Sequence, residues 1–484
     1  MLLGKPLAMF AFFVTMLGCI SSLAGATTPA NSTALDPRAI NLIFVVSEDQ
    51  AHHARGDINP VTANLTDRGL RRTLMMATYL RRRVFGGHDV DAVYVLEPMT
   101  HLQTAAQLPD LVAAESVEQF ALLNQISLPI RGGEVVTANS FPLNVTYAPW
   151  AQPRGLATPH PPCPACQGLD FGDRNGDNEA LVRGVIQAGA AGFYLFCAPW
   201  ETLARLMTEI DREGHYHLVI PTRYPGPDTI YAIAIRPQAT RLIVYRNPLS
   251  PAPTYPDLPA PLPMSKSCME QQPFKIQITA RDAAPVPGLN RDETVWLIRH
   301  AEAHPGRFFE DGNNVCAGQW RALALPEVLR GKINPDLVYS VDPAQTVGGR
   351  HQGRRWSYVR PALTVAPYAI ADALPFGLMT TSLWNDCQTR APFPCPTTDF
   401  FFKGGTFSHH RLLIAWEHNR IPAIVQNLID AYYPTGAAPQ VPAWPAEDYD
   451  SIWTVRLDHR GNLTVVNGCE GIDSRALPAA CPLF

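Results

Sequence analysis

The sequence predicts an α/β fold in two copies, each a three-layer α/β/α domain around a mostly parallel central sheet. Three observations lead to this prediction. At 484 residues, the chain is longer than a single hydrophobic core usually supports. Short apolar runs typical of buried strands alternate with amphipathic segments typical of helices. The same order of elements occurs twice, which favours a duplication over two unrelated α/β domains.

The elements of the two halves correspond in order. Each half begins with a strand, a helix and a second strand, continues with a strand and a helix, and closes with two strands. In the first half these elements are predicted at 41–46, 70–83, 91–95, 193–196, 201–212, 229–235 and 242–245. In the second half they are predicted at 295–298, 319–329, 336–340, 412–416, 421–433, 451–457 and 463–466.

The chain therefore divides into four predicted parts. Residues 1–26 are a signal peptide, residues 27–247 the first domain, residues 248–291 a linker and residues 292–484 the second domain. The linker is assigned because proline is frequent at its start, and proline-rich segments act as stiff spacers.

The N-terminus is typical of an exported protein. Lys5 precedes the apolar run 7–17, and Ala24-Gly25-Ala26 supplies a small-residue cleavage site. The run is too short to span a membrane, so we expect a secreted or periplasmic protein without a membrane span. Cys19 could anchor a lipoprotein, although Met16 stands where leucine is usual, and plain cleavage is favoured. The formal net charge of −4 gives no reason to expect nucleic acid as a partner.

The cysteines suggest disulfides without fixing their pairing. Nine of the ten cysteines follow Cys19, and an oxidising compartment would permit bonds between them. Neighbours in sequence give three candidate pairs, although connectivity cannot be deduced from sequence. They are Cys163–Cys166, Cys387–Cys395 and Cys469–Cys481. The first pair could also be a redox or metal site, but a single CxxC in a proline-rich loop favours a structural role.

Side chains suited to phosphoryl transfer follow the strands of the second half. Arg299 and His300 come directly after the strand 295–298, and His418 follows the strand 412–416. Arg360 precedes Thr364 by four residues, which places both on one face of a helix. A guanidinium clamps phosphoryl oxygens, while an imidazole held neutral by nearby positive charge can attack phosphorus. The carboxyl ends of parallel strands meet at one sheet edge, so we expect these groups to converge.

These motifs resemble those of the histidine phosphatase superfamily, the group that includes phosphoglycerate mutases and histidine acid phosphatases. The residues that carry the resemblance lie at 297–302, 360–364 and 414–418, and it covers roughly residues 292–470. It implies that His300 is the phosphorylated nucleophile and that Arg299, Arg360 and His418 bind the phosphoryl oxygens. No cofactor or metal is implied, because the arginines supply the positive charge that a metal gives elsewhere.

Three departures from the family pattern leave alternatives open. Ala301 replaces the usual glycine, and the segment 341–358 is longer than the usual path to the second arginine, so that Arg350 is an alternative to Arg360. Asn419 stands where the acid phosphatases carry aspartate. Glu417 and Asp372 are then the candidates for the general acid, while Glu302 is expected to orient its loop.

The first half is predicted to be a silent copy. Aligning the first strands places Ser47-Glu48 opposite Arg299-His300. Counting back four residues from Thr104 places Thr100 opposite Arg360, and Pro199 falls near the position of His418. This half would lack the nucleophile, both arginines and the second histidine.

These expectations combine into one function and two alternatives. The favoured function is an exported phosphatase that hydrolyses a phosphorylated small molecule through a phosphohistidine. The first alternative is a non-catalytic secreted or periplasmic binding protein on a phosphatase scaffold. The second is a phosphomutase, which export away from glycolytic intermediates disfavours. Specificity is expected from the loops at 307–317 and 376–410, although the aromatic residues of the latter could equally belong to an ordinary ordered segment.

Overall fold

The structure, a computed structural model, describes residues 34–484 with several gaps. The residues not described are 1–33, 124–125, 130–134, 139–167, 174–175, 238, 256–267, 269–272, 280–282, 284–285, 304–311, 342, 344–345, 349–354, 380–394 and 435–436. The predicted signal peptide, Cys19, the pair Cys163–Cys166, Arg350 and Cys387, one half of the predicted pair Cys387–Cys395, therefore lie outside the described residues.

Strands and helices alternate along most of the chain. The strands are β1 (Ile40–Val46), β2 (Ala92–Val95), β3 (Leu102–Gln103), β4 (Leu108–Pro109), β5 (Ile126–Pro129), β6 (Val135–Ala138), β7 (Gly192–Ala198), β8 (Thr229–Arg236), β9 (Ala239–Arg246), β10 (Lys275–Ile278), β11 (Glu293–Arg299), β12 (Leu337–Val341), β13 (Thr346–Gly348), β14 (Arg355–Ser357), β15 (Phe376–Met379), β16 (Arg411–Trp416), β17 (Ser451–Leu457) and β18 (Leu463–Cys469). The α-helices are α1 (Asp67–Tyr79), α2 (Val112–Leu123), α3 (Asp177–Ala188), α4 (Trp200–Gly214), α5 (Cys316–Val328), α6 (Arg360–Ala371), α7 (Pro396–Phe402) and α8 (Arg420–Asp430).

Two larger sheets organise these elements, one in each half of the chain. The first has the strand order β2-β7-β1-β8-β9, and the second has the order β10-β18-β17-β11-β16-β12-β15. The described residues also form three two-stranded antiparallel sheets, β3-β4, β5-β6 and β13-β14. The prediction of an α/β chain is confirmed.

The prediction of mostly parallel sheets is wrong, because both larger sheets are mixed. In the first, two of the four neighbouring pairs are parallel and two are antiparallel. In the second, three of the six neighbouring pairs are parallel and three are antiparallel. The antiparallel pairs come from the two strands that close each half and, in the second sheet, from β10. The closing strands are joined by a short connection, which links antiparallel neighbours, and the first of them also runs antiparallel to the central strand.

The two sheets share one arrangement of strands around their centre. In each, the central strand has a parallel neighbour on one side and an antiparallel hairpin on the other. In the first sheet Ser47 N–H donates to the carbonyl of Ala198 (3.0 Å), and in the second His300 N–H donates to the carbonyl of Trp416 (2.7 Å). The antiparallel neighbours give the same correspondence between the sheets. Val45, two residues before Ser47, pairs with Ile230, and Ile298, two residues before His300, pairs with Ile452.

This register corrects the alignment of the halves by one residue. Ser47 occupies the position of His300, and Val46 that of Arg299. On the neighbouring strand, Trp200 rather than Pro199 corresponds to His418. The placement of Thr100 opposite Arg360 is also wrong, because Thr100 ends a 3-10 turn and the next α-helix, α2, begins at Val112.

The halves pack against each other through α6. Val359 and Leu363, at its start, belong to a hydrophobic cluster otherwise made of residues from the first half. Helix α6 contacts α1 and α2 on one side and the strands β12, β15 and β16 of its own sheet on the other. Because the core continues across this junction, the division of the chain into two independent domains stays a prediction.

The predicted linker and one predicted disulfide need correction. Residues 275–278, inside the expected linker, form β10 and pair with β18, so the second sheet begins before residue 292. Cys469 is bonded to Cys268, and Cys481 is bonded to Cys316. The pairing of Cys469 with Cys481 is therefore wrong. Neighbours in sequence lie apart here, because the chain runs from the end of β18 to the start of α5 between them.

Two further observations concern the remaining cysteines and the membrane. Cys395 is disulfide-bonded, and Cys197 is a buried free thiol. Among the described residues, no helix is both long enough and apolar enough to cross a bilayer.

The junction between the halves predicts a measurable effect on stability. Leu363→Ala should lower the free energy of unfolding by about 2–5 kcal/mol, because it deletes buried methyl groups and leaves a cavity against the first half. Urea denaturation of the full chain measures the change. Val61→Ala, at a side chain that is 74% exposed, is the control and should stay within about 0.5 kcal/mol. Equal effects in the two variants would contradict the packing of α6 on the first half.

Candidate active site

The candidate site lies where β11 and β16 end and α6 begins. These two strands are parallel neighbours, so their carboxyl ends reach the same edge of the second sheet. Arg299 is the last residue of β11, and Glu417 and His418 directly follow β16. Arg360 is the first residue of α6, which packs on β16.

His300 is buried, and one of its two ring nitrogens already has a hydrogen-bond partner. Its Nδ1 lies 2.7 Å from the carbonyl oxygen of Ala301, and this short contact requires Nδ1 to carry the proton. In the neutral ring, the lone pair is then on Nε2. The rings of Tyr358 and Tyr449 flank the imidazole, each with its centroid 6.0 Å away.

Arg299 is held in place by the loop that precedes β17. Its Nη1 donates to the backbone carbonyls of Ala446 and Asp448, the latter at 3.1 Å. Its guanidinium stacks on the ring of Tyr449, 3.7 Å from the centroid. Its Nε is buried and has no hydrogen-bond partner among the described residues, so this donor remains for a ligand.

Arg360 and Thr364 act together at the start of α6. Thr364 Oγ1 donates to the carbonyl of Arg360 (2.7 Å) and accepts from the backbone N–H of Ala301 (2.8 Å). One hydroxyl thus joins the first turn of α6 to the residue after His300. The guanidinium of Arg360 lies over the ring of Tyr358, 4.8 Å from the centroid. Residues four apart lie one helical turn from each other, which is why the hydroxyl of Thr364 reaches the carbonyl of Arg360.

His418 and Glu417 form the opposite side of the site. His418 Nδ1 lies 3.7 Å from Glu417 Oε1, and Arg420 Nε lies 3.7 Å from Glu417 Oε2. Asn419 donates from its side-chain amide to Glu417 Oε1 at 3.0 Å. Both His418 and Glu417 are half-buried, so they remain accessible from solvent.

Burial and positive charge set the protonation states. Burial, with Arg360 and Arg299 adding to it, lowers the pKa of His300 well below its usual value. The same causes lower the pKa of His418 to about 4. Burial raises the pKa of Glu417, although Arg420 and the other arginines oppose the shift. The site therefore favours two neutral imidazoles and a carboxyl group that retains its proton at higher pH than usual.

The structure thus brings together five residues named from the sequence: Arg299, His300, Arg360, His418 and Glu417. Asp372, the other candidate for the general acid, is not among them. It is exposed at the C-cap of α6, whereas Arg360 opens that helix. A helix of 12 residues is about 18 Å long, so Asp372 lies far from the site.

Three residues of the site had not been expected. Tyr449 lies in the loop before β17, Tyr358 lies two residues before Arg360, and Arg420 opens α8. Tyr358 is buried, and Tyr449 is half-buried. None of the three belongs to a motif with a regular spacing. Their signal in the sequence is only their nearness to strand and helix ends.

Glu302 orients its loop, as expected, through a buried arginine. Arg321, fully buried in α5, binds both carboxylate oxygens of Glu302 and also donates to Glu470 Oε2 at 2.6 Å. Asp450 Oδ1 lies 3.6 Å from the same guanidinium. Gly318 packs so closely against the backbone of Glu302 that a side chain there would overlap it.

The aromatic residues of the expected specificity loop belong to the core. Phe401 and Phe402, in α7, are almost completely buried. Phe401 packs edge-on against Tyr339 with a centroid distance of 5.7 Å. Of the two interpretations left open for this segment, the described part fits an ordered core element.

Comparisons with known proteins give little similarity. A scan against models of protein families finds no match, and a search of curated proteins finds none either. Two similar solved structures are described as the phosphohistidine phosphatase SixA, from Agrobacterium tumefaciens and from Nakamurella multipartitia. Each is 16% identical with a TM-score of 0.19. They cover 34% and 40% of this chain, and 92% and 96% of their own length. Because similarity this low cannot assign an activity, the chemistry inferred below depends on the side chains of this chain.

The environment of Arg321 predicts a large effect of its removal. Arg321→Met should destabilise the protein by about 3–5 kcal/mol, because it leaves buried carboxylates without their cation. Such carboxylates would take up protons in the folded state, so stability should fall as the pH rises. The deficit should therefore be smaller at about pH 5 than at about pH 8.

Chemical denaturation at both pH values measures the deficit. Arg330→Met, at an exposed arginine just after the same helix, is the matched control. A deficit that is independent of pH would argue against the assigned role of the arginine.

Proposed function

We propose that this chain is an exported phosphatase that hydrolyses a phosphomonoester through a phosphohistidine at His300. The observation that carries the proposal is the buried imidazole, whose Nδ1 proton is held by the carbonyl of Ala301 beside two guanidinium groups. That arrangement leaves Nε2 unprotonated and places positive charge where a phosphoryl group would sit.

The first step transfers the phosphoryl group to the enzyme. His300 Nε2 attacks phosphorus, a P–N bond forms, and the bond between phosphorus and the ester oxygen breaks. The guanidinium groups of Arg299 and Arg360 neutralise the negative charge on the phosphoryl oxygens. The neutral imidazole of His418 can donate one further hydrogen bond to them. Glu417 gives its proton to the departing alkoxide, which leaves as an alcohol.

The second step returns the enzyme to its starting state. A water molecule attacks the phosphohistidine, and the carboxylate of Glu417 accepts its proton. The P–N bond breaks, inorganic phosphate leaves, and His300 is again neutral with its lone pair on Nε2. Glu417 thus acts as acid and then as base, a role that suits a carboxyl group with a raised pKa.

The disulfides support the proposed location. Cys268–Cys469 and Cys316–Cys481 join segments far apart in the chain, and such bonds persist in oxidising compartments. This agrees with export, which the sequence of residues 1–26 predicts.

Trapping experiments test the nucleophile. Brief incubation with a radiolabelled phosphate ester should label the protein, and the label should be lost in acid but retained in base, as expected for a P–N bond. His300→Ala should abolish labelling and lower kcat by at least about 10³-fold. His409→Ala, at an exposed histidine, should leave both unchanged.

Two results would contradict the assignment. Labelling that persists in His300→Ala would mean another nucleophile. No turnover of any aromatic phosphate by the unmodified chain, together with tight binding of inorganic phosphate, would favour the binding-protein alternative.

The pH profile and the leaving group test Glu417. The protonated form is needed in the first step, so kcat/KM should fall as the pH rises through the raised pKa of this group. Glu417→Gln should remove this alkaline limb and lower kcat/KM for alkyl phosphates by about 10²–10⁴-fold. The loss of kcat/KM should be much smaller for para-nitrophenyl phosphate, whose leaving group needs no proton, because kcat/KM reports the first step and not the later hydrolysis of the phosphohistidine.

Asp372→Asn is the matched control and should leave both substrates unaffected. A similar loss for both leaving groups in Glu417→Gln would show that Glu417 is not the acid.

A further inference from the structure

The first sheet has an edge that corresponds to the candidate active site but carries different chemistry. By the register given above, Ser47 stands at the position of His300, and Trp200 at that of His418. Val46 replaces Arg299. The strands end in the same register, and none of the groups proposed to bind phosphate stands at these three positions.

Carboxylates gather at this edge instead. Asp49, two residues after Ser47, is 1% exposed and accepts from the backbone N–H of His52 at 2.5 Å. Glu201, the second residue of α4, is exposed and contacts His52 Nε2 at 2.9 Å. Asp110 lies near enough for its charge to act on Asp49. Burial, with Glu201 and Asp110 adding to it, raises the pKa of Asp49 to about 6, so this group is mostly ionised at neutral pH.

The cations near this edge already have partners. His101 lies 2.8 Å from Asp110 through its Nδ1. Arg72 is bonded to Asp57 and Asp228, and Asp57 is also the acid beside Glu48. Burial and Asp57 raise the pKa of Glu48 to about 8, so this carboxyl group keeps its proton at neutral pH. The charge available to a ligand is therefore negative, and comes mainly from Asp49 and Glu201.

Aromatic rings line the same edge. The ring of Tyr224 lies 5.1 Å from that of His52 and 6.3 Å from that of Trp200, measured between centroids. The hydroxyl of Tyr224 lies close enough to Asp49 and Glu48 for their charges to raise its pKa further above the value that burial gives. Aromatic faces beside carboxylates are the surroundings that an ammonium group prefers.

Two buried polar atoms at this edge have no hydrogen-bond partner among the described residues. Ser47 Oγ and Gln103 Nε2 belong to side chains that are 1% and 5% exposed, and neither atom has a hydrogen-bond partner in the described part of the chain. Gln103 is fixed here because its Oε1 accepts from the backbone N–H of Gln50, next to Asp49. In the second half, Arg299 Nε and His418 Nδ1 share this property at the corresponding edge. A buried polar atom without a partner is costly, which is why it marks a ligand site.

We infer that the edge of the first sheet formed by Ser47, Asp49, Trp200, Glu201 and Tyr224 binds a small organic ammonium ion. The carboxylates match its charge, the rings of Trp200 and Tyr224 face its carbon-bound hydrogens, and Ser47 Oγ can accept a hydrogen bond.

A metal ion fits these residues less well. In the described part of the chain, the residues that bring three metal-ligating atoms within 4.8 Å of one another are Cys268, Asp450 and Cys469, away from this edge. Those two cysteines form a disulfide, so that group is not a metal site either. Phosphate is disfavoured because Asp49 and Glu201 would repel it.

Calorimetric titration of the full chain with choline tests the proposal. The uncharged analogue of choline, in which carbon replaces nitrogen, should bind at least about tenfold more weakly, because it keeps the shape and loses the charge. Asp49→Asn should weaken choline binding by about tenfold or more, and Glu201→Gln by about threefold to tenfold. Binding should also strengthen as the pH rises through about 6, where Asp49 loses its proton.

Glu209→Gln provides the matched control, since it makes the same change on α4 at a glutamate paired with Arg212. It should leave choline binding unchanged. Glu201 is exposed, so its variant tests the proposal even if Asp49→Asn fails to fold. The proposal is overturned by equal affinity for choline and the uncharged analogue, by unchanged binding in Glu201→Gln, by no choline binding at all, or by calcium binding in place of choline.

Discussion

The geometry of the second half, which carries the candidate site, depends on one buried guanidinium, that of Arg321. It binds Glu302, which follows His300 by two residues, and it lies against Asp450, which follows Tyr449 directly. It also binds Glu470, at the end of β18. Three segments that surround the site are thereby fixed to one group in α5. Three carboxylates would leave excess negative charge, but burial raises the pKa of Glu470 to about 8, so that this group keeps its proton at neutral pH. Glu302 and Asp450 then share one guanidinium, and burial also raises the pKa of Asp450, which lessens the excess negative charge of the buried cluster.

The two sheet edges have the same backbone hydrogen bond but carry side chains of opposite charge. In both halves the residue after the central strand donates its N–H to the neighbouring parallel strand. In the second half, Arg299 and Arg360 are there to attract an anion and to keep His300 neutral. In the first half, Asp49 and Glu201 stand at the corresponding edge and would repel an anion, so the two edges differ in the sign of their charge. The function is set by the side chains at the edge, and not by the sheet.

The sequence could predict the features that depend on residues close together in the chain, and not those that depend on distant contacts. Arg299-His300 was identifiable because an apolar strand ends there, and Arg360 was identifiable because Thr364 follows at helical spacing. Tyr449 depends on a loop whose path no short pattern determines. Asp372 was a wrong candidate because the sequence does not say at which end of a helix a residue faces the site. The one-residue shift between the halves was also hidden, since only hydrogen-bond register distinguishes Ser47 from Glu48 as the counterpart of His300. Strand direction and disulfide pairing depend on long-range contacts, and there the predictions were wrong.

The first half also packs against the helix that carries Arg360. Helix α6 is buried against its own sheet and α5 in the second half, and it also contacts α1 and α2 of the first half. The backbone N–H of Arg360 donates to the carbonyl of Gly312, and Asn314, two residues later, donates to Glu118 of α2 at 3.4 Å. Burial raises the pKa of Glu118 to about 8, so this carboxyl group is neutral at the interface. The helix that begins at Arg360 is thus packed against both halves of the chain. A change in α2 is therefore expected to reach Arg360 through this packing, without altering any residue of the candidate site.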